Sequence, residues 1–187
     1  MRMRIISGYL KGRMINVPQS KFIRPTTDRV RETLFNILNN KISFDGIEVL
    51  DLYSGSGALG IECLSRGAKR VTFVEKNTKI YFNLKENIKS LSLENHCKII
   101  RSEAYFFTKS EKAGKYDLIL ADPPFFEYDI YSVVENVKKN NLLKDEALMI
   151  IERSIQTKNK DINELGIEPF KIIGDACLYE ITNQNKT

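Results

Sequence analysis

Residues 115–126, Lys-Tyr-Asp-Leu-Ile-Leu-Ala-Asp-Pro-Pro-Phe-Phe, constrain the fold more than any other stretch. Leu118 to Ala121 is an unbroken apolar run, the length of a strand buried on both faces, and it stops at Asp122-Pro123-Pro124-Phe125. Neither proline has an N–H to give a sheet ladder, so the chain must leave the sheet rigidly there. A carboxylate and an aromatic ring are then held at the strand's carboxyl end, which is where open α/β sheets bind ligands. The plain alternative is a strand followed by a stiff turn, because Asp-Pro commonly opens one.

A second stretch weakens that alternative. Residues 46–54, centred on Val49-Leu-Asp-Leu-Tyr53, read as a strand. Gly55-Ser56-Gly57-Ala-Leu-Gly60 then runs straight into Ile61-Glu-Cys-Leu-Ser-Arg66, a helix ended by Gly67. Strand, G-x-G-x-x-G, helix is the context this motif requires. Gly55 is expected to permit the tight turn, Gly57 to let the backbone approach a ligand, and Gly60 to let the helix pack closely on the strand. Arg70-Val-Thr-Phe-Val-Glu75 is the next strand, ending in an acid 20 residues after Gly55. A carboxylate at that spacing can take both hydroxyls of a ribose.

The remaining pattern alternates. Arg4–Gly8 and Arg13–Val17 are β-prone runs around Tyr9-Leu-Lys-Gly12, a hairpin with Gly8 and Gly12 at its corners. Two strands alone are marginal in water, so the hairpin must lean on the main domain or order on a partner. After Arg24-Pro25, one of Thr26, Thr27 or Asp28 caps a helix whose stripe is Val30, Leu34, Ile37 and Leu38, with Arg29, Arg31 and Glu32 off the stripe. Asn77 caps a helix carrying Ile80, Leu84 and Ile88. Residues 98–101 and 116–121 follow as strands, with a short helix over 105–112 between them. A helix over 131–138 leads to a buried strand at 147–151, a polar loop at 157–161, and a closing β pair, 170–173 and 178–181, around Gly174-Asp175. Alternating strand and helix ending in an antiparallel pair means a doubly wound α/β domain, here residues 24–187, preceded by a hairpin extension over 1–23.

Composition narrows the class. A chain of 187 residues holds one domain with a real core. No apolar run approaches the roughly 20 residues that span a membrane, and Met1-Arg-Met-Arg-Ile is no secretory signal. Cys63, Cys97 and Cys177 show no C-x-x-C spacing, and His96 is the single histidine. Reduced thiols in a cytoplasmic protein without a metal are therefore expected. Charge is uneven: residues 1–31 carry eight basic residues against Asp28 alone, +7 in a chain whose total is +5, so the rest sums to −2. That asymmetry points to a polyanion met by the N-terminal end through Arg4, Lys11, Arg13, Arg24, Arg29 and Arg31, rather than to a mere solubilising tail.

A lone G-x-G-x-x-G fits a nicotinamide enzyme as well as a methyltransferase. Asp51, four residues before the first glycine, is well placed for the amino group of S-adenosylmethionine and poorly placed for a pyrophosphate. Asp122-Pro123-Pro124-Phe125 matches the motif of enzymes that methylate planar amino nitrogens. An exocyclic amine is a poor nucleophile because its lone pair is delocalised into the ring. Asp122 and the carbonyl of Pro123 can accept its two N–H groups and free that lone pair, while Phe125 stacks on the ring; catalysis is then positioning and electrostatics. A base in a stack must first be splayed out to reach such a pocket.

These residues resemble the RsmD-type 16S ribosomal RNA (guanine-N2)-methyltransferase family. The resemblance lies in Arg4-Ile-Ile-Ser-Gly8 with Lys11-Gly-Arg13 and Val17-Pro18, in Arg24-Pro-Thr-Thr-Asp-Arg-Val-Arg-Glu-Thr-Leu-Phe-Asn36, in Asp51-Leu-Tyr-Ser-Gly-Ser-Gly-Ala-Leu-Gly60 with Leu64-Ser-Arg-Gly-Ala68, and in Asp122-Pro-Pro-Phe125. The second block is the most specific. The resemblance implies a Rossmann-like class I fold with a seven-stranded, mostly parallel sheet and a terminal antiparallel strand. It implies S-adenosyl-L-methionine held by Asp51, Gly55, Ser56, Gly57 and Glu75, with guanine held by Asp122 to Phe125. It also implies 16S ribosomal RNA within the small subunit as partner, a monomer, and the cytoplasm. Where the family pattern has Asp or Asn facing the adenine, this chain offers Ser102 or Glu103. The rival expectations are a DNA adenine-N6 or cytosine-N4 methyltransferase, disfavoured by the absence of an obvious target-recognition domain, and a non-catalytic RNA-binding assembly factor, disfavoured by intact Asp51, Glu75 and Asp122.

Overall fold

Successive apolar residues of the central strands face opposite sides of one sheet, and helices cover both sides. A computed structural model describes residues 1–18, 28–110, 114–124 and 127–183. The N-terminal hairpin pairs β1 (Arg2–Arg4) with β2 (Met14–Asn16), antiparallel, with Met3 opposite Ile15. Helix α1 (Asp28–Asn39) follows. The main sheet is then built from β3 (Glu48–Leu52), α2 (Ala58–Ser65), β4 (Arg70–Val74), α3 (Thr78–Ser90), β5 (Cys97–Ile100), α4 (Ala104–Lys109), β6 (Tyr116–Ala121), α5 (Ile130–Lys139) and β7 (Leu143–Ser154). It closes with α6 (Lys158–Leu165), β8 (Lys171–Ile173) and β9 (Ala176–Thr182).

The strand order is β5-β4-β3-β6-β7-β9-β8. Pairs among β3 to β7 are parallel, and β9 runs antiparallel to both β7 and β8. The last strand in sequence is thus the antiparallel one, inserted beside β7, and β8 takes the edge. One core layer holds Val49, Leu118, Leu120 and Ile150 with the hairpin, α1, α2 and α3. The other holds Leu50, Leu52, Ile119 and Ile151 with α4 and α5. Burying each such side chain is worth roughly 1.5–3 kcal/mol, which is why strands with apolar residues on both sides must lie in the middle.

The hairpin leans on the domain. Both strands are shorter than the pattern predicts, and the first is also earlier, because the Ile6 and Ser7 amides donate to the carboxylate of Glu62 on α2, at 2.8 and 3.0 Å, instead of to a second strand. Leu10 and Tyr9 amides donate to Ser65 Oγ and to its carbonyl. Gly8, with φ of +79°, passes so close to the Ser65 carbonyl that a Cβ would overlap it. Asn87 of α3 grips Asn16 from both sides, accepting its N–H at 2.9 Å and donating to its carbonyl at 2.9 Å. Met3, Ile5, Ile15 and Val17 join the main core.

Three expectations are corrected. The buried side of α1 is Val30, Arg31, Leu34, Phe35 and Leu38, with Ile37 only half-buried, so the stripe is rotated toward Phe35. The strand expected at 147–151 begins at Leu143, because a register shift between Tyr116 and Leu118 absorbs a bulge in which Glu146 takes φ of +60°. The segment 157–161 is no loop: a 3₁₀ turn, Ile155–Thr157, leads directly into α6. The polar face of that helix concealed it, since Asp161 is fully buried for a reason the local pattern cannot show.

Candidate active site

The chain runs from β3 outward to β4 and β5, then returns to β6 on the other side of β3. The loops that leave β3, β4, β5 and β6 therefore open at one sheet edge, at the point where strand order reverses. Leu52 pairs with Val74 and with Ala121, so Tyr53, Glu75 and Asp122 begin these loops side by side.

Asp51 is 1 % exposed. Its Oδ2 accepts the Gly60 amide at 2.9 Å, satisfying one of the N–H groups that the first turn of α2 leaves over. Burial raises the Asp51 pKa well above its ordinary value, and the Asp122 and Glu75 carboxylates push it further, against the lowering effect of the Gly60 amide. The loop is then pinned. Ser54 Oγ donates to the carbonyls of Asp51 and Val74, the Gly55 amide to Glu75 Oε2 at 3.0 Å, and the Gly57 amide to the Ser54 carbonyl at 2.8 Å. Glu75 Oε1 also accepts the Asn77 amide at 2.7 Å. Burial raises the Glu75 pKa, and these backbone donors oppose that rise.

Gly60 behaves as expected: a Cβ there would meet the Phe73 ring at 2.3 Å. Gly57 also has an internal requirement, set by φ of +85° and by Leu84, which a Cβ would meet at 2.4 Å. Ser56 is buried, and its carbonyl accepts from Asn87 Nδ2 at 3.0 Å.

On the other side of β3, Asp122 is half-buried, Pro123 buried and Pro124 exposed. Phe125 lies outside the described residues. At the end of β5, Ser102 is half-buried and bonds the Glu103 carbonyl, while Glu103 is exposed.

Several contacts here carry no motif. Tyr53 sits at φ of +56°, uncommon for a side-chain-bearing residue, and its hydroxyl donates to Asp129 Oδ1 at 2.9 Å. Lys76 pairs with Glu127 at 2.6 Å. Both bonds tie the glycine-loop side to the segment that follows Asp122-Pro-Pro. Only the position of Tyr53 beside Asp51 could have suggested its involvement.

The arginines divide. Arg4, Lys11 and Arg13 are exposed on the hairpin, and Arg29 is exposed on α1. Arg13 reaches the Ser90 carbonyl at 3.3 Å. Arg24 lies outside the described residues. Arg31 corrects the expectation of a phosphate contact: it is 1 % exposed, and its Nη2 donates to the Arg4 carbonyl at 2.8 Å and to Asp28 Oδ1 at 2.7 Å. It fastens α1 to the hairpin. Among the described residues no group of three or more His, Cys, Asp or Glu is arranged to hold a metal ion, and no helix is long and apolar enough to cross a membrane.

The family model described as Conserved hypothetical protein 95 matches residues 3–181. Ribosomal RNA small subunit methyltransferase D of Haemophilus influenzae is 40 % identical over 151 residues, 80 % of this chain and 77 % of that protein. The protein of the same name from Escherichia coli K12 is 37 % identical over 155 residues, 83 % of this chain and 76 % of that one. The solved structure of yhhF from Escherichia coli superposes with a TM-score of 0.79 at 31 % identity, covering 96 % of this chain and 97 % of that chain.

Proposed function

This chain belongs to the RsmD-type family of small-subunit ribosomal RNA methyltransferases, and from that premise we propose that it transfers a methyl group from S-adenosyl-L-methionine to the exocyclic N2 amine of a guanine in 16S ribosomal RNA. One observation carries the reading. Asp51 and Glu75 stand at the ends of the adjacent strands β3 and β4, and Asp122-Pro123-Pro124 ends β6 on the other side of β3.

The cofactor fits the charge of the site. Three carboxylates share the edge, and Asp51 is held against ionisation by burial and by the other two. A ligand bringing an ammonium and a sulfonium relieves that repulsion; a pyrophosphate would add to it. Asp51 faces the amino end of such a ligand, Glu75 its ribose hydroxyls, and Ser102 or Glu103 its adenine, with Gly55, Ser56 and Gly57 shaping the wall between. When bound, the cofactor supplies an electrophilic methyl group on sulfur.

The chain's own residues do the rest. Asp122 and the Pro123 carbonyl accept the two N–H groups of the guanine amine and draw its lone pair out of ring conjugation, and Phe125 stacks on the base. Asp122 is also the carboxylate in reach of the proton that the methylated amine sheds. Arg4, Lys11, Arg13, Arg24 and Arg29 meet phosphates of the RNA. The enzyme acts as a monomer on the small subunit in the cytoplasm.

The test is methyl transfer from labelled cofactor to small ribosomal subunits from cells lacking the enzyme, with nucleoside mass spectrometry. N2-methylguanosine is expected. Transfer to adenine or cytosine of DNA would replace this function, and cofactor-independent RNA binding without transfer would mark an assembly factor.

A further inference from the structure

A fully buried ion pair lies behind the Asp122-Pro-Pro turn, and the chemistry above does not use it. Arg153, at the carboxyl end of β7, donates from Nε to Asp161 Oδ1 of α6 at 3.1 Å; neither side chain is exposed. Asp161 is saturated further by the Tyr131 hydroxyl at 2.7 Å and the Thr157 hydroxyl at 2.6 Å. Arg153 then turns its Nη1 to the carbonyl of Glu127 at 3.2 Å. The amide of Glu127 in turn donates to the carbonyl of Pro124 at 2.8 Å. An unbroken chain of hydrogen bonds thus runs from Asp161 through Arg153 and Glu127 to Pro124. The guanidinium also faces the ring of Tyr128, which meets Tyr131, ring centroids 6.2 Å apart, and Lys160, whose ammonium is 3.5 Å from the ring centroid.

A buried ion pair is an inefficient way to hold a fold together, since apolar residues of similar volume often serve stability as well or better. What the guanidinium offers is direction: a planar fork whose separate nitrogens fix two acceptors at set angles. Here one acceptor is a buried carboxylate on α6 and the other is backbone three residues after Pro124. We propose that Arg153, held by Asp161, is a positioning residue that sets the return arm of the target-base turn and so the placement of Asp122 and Pro123. The proposal rests on the methyl-transfer reading of that turn.

The test replaces the pair by Arg153→Met with Asp161→Leu, which removes both charges together, and compares it with Arg153→Lys, which keeps a cation beside Asp161 but cannot also reach Glu127. Three quantities are read: thermal stability, kcat and KM on small subunits, and amide hydrogen exchange. In whichever variant stays folded, kcat is expected to fall at least about tenfold, the scale of a small misplacement of reacting groups. KM and cofactor affinity stay within about threefold, and the Glu127 amide exchanges at least about tenfold faster while the amides of 118–121 keep their protection. A folded variant with unchanged kcat, or with unchanged Glu127 exchange, overturns the proposal. If the wild-type enzyme transfers no methyl group, the function has failed instead, and Glu127 exchange alone decides whether the pair holds the turn.

Discussion

Glu75 and Gly55 are joined by a 3.0 Å hydrogen bond from the glycine amide to Oε2, so the acid that ends β4 also holds the glycine loop that leaves β3. With the Gly60 amide on Asp51, this makes two buried carboxylates structural parts of the loop before any ligand arrives. Both have pKa values raised chiefly by burial. The sign follows: a carboxyl that holds its proton more tightly folded than unfolded contributes stability at low pH, and that contribution is lost as pH rises from the ordinary value of 3.8 for Asp51 toward its folded value. The cofactor-free protein should therefore lose stability with rising pH across that window. Asp51→Asn should flatten the loss while lowering cofactor affinity at least about tenfold, a charged hydrogen bond's worth. Melting temperatures against pH, paired with calorimetric titration, check this; a slope equal to wild type would remove Asp51 as the titrating group.

Asp122→Ala separates chemistry from cofactor binding. Turnover should drop to background, because the amine loses the acceptor that frees its lone pair, yet cofactor affinity should stay within a few-fold, since Asp51 and Glu75 carry the proposed contacts to the cofactor. Single-turnover assays with equilibrium dialysis measure both; normal turnover would refute the assignment.

The basic residues should split by exposure. Charge reversal at Arg4 and Arg13 should weaken RNA binding and flatten its salt dependence, each lost phosphate contact lowering the logarithmic slope by about one. Arg31→Ala should leave that slope alone and instead cost about 1–3 kcal/mol in urea unfolding, because it removes a buried guanidinium that bonds the Arg4 carbonyl of the hairpin and Asp28 of α1. A reversed pattern would return Arg31 to the RNA surface.

Gly60→Ala should destabilise by about 1–3 kcal/mol through forced contact with Phe73 and Val71. Gly57→Ala should cost at least as much, because it adds a strained φ to contact with Leu84. Denaturant titration gives both, and a neutral Gly57→Ala would mean the loop has slack that the packing against Leu84 denies.

The strands at 48–52, 70–74 and 116–121, the glycine loop, the cap at Asn77 and the carboxylates Asp51, Glu75 and Asp122 were legible in the chain itself. Each is announced by a local rule: an apolar run too short for a helix, a glycine at a fixed offset, a proline that cannot extend a ladder. What local rules cannot supply is the direction of a long side chain. Arg31 and Arg29 sit two residues apart on one helix, yet one is buried under the hairpin and the other faces solvent. The helix containing Asp161 looked like a polar loop because its buried acid is matched by Arg153, on the neighbouring strand β7. Glu62 is fully buried because two amides of a chain segment 55 and 56 residues away bind it, partners that no local pattern announces. The sequence by itself determined the alternation of strands and helices as far as β7, and the carboxylates that end β3, β4 and β6, since those depend on neighbours within a few positions. Only the tertiary structure decided which charges are buried and paired, because the desolvation of a charge is offset by partners that folding alone brings together.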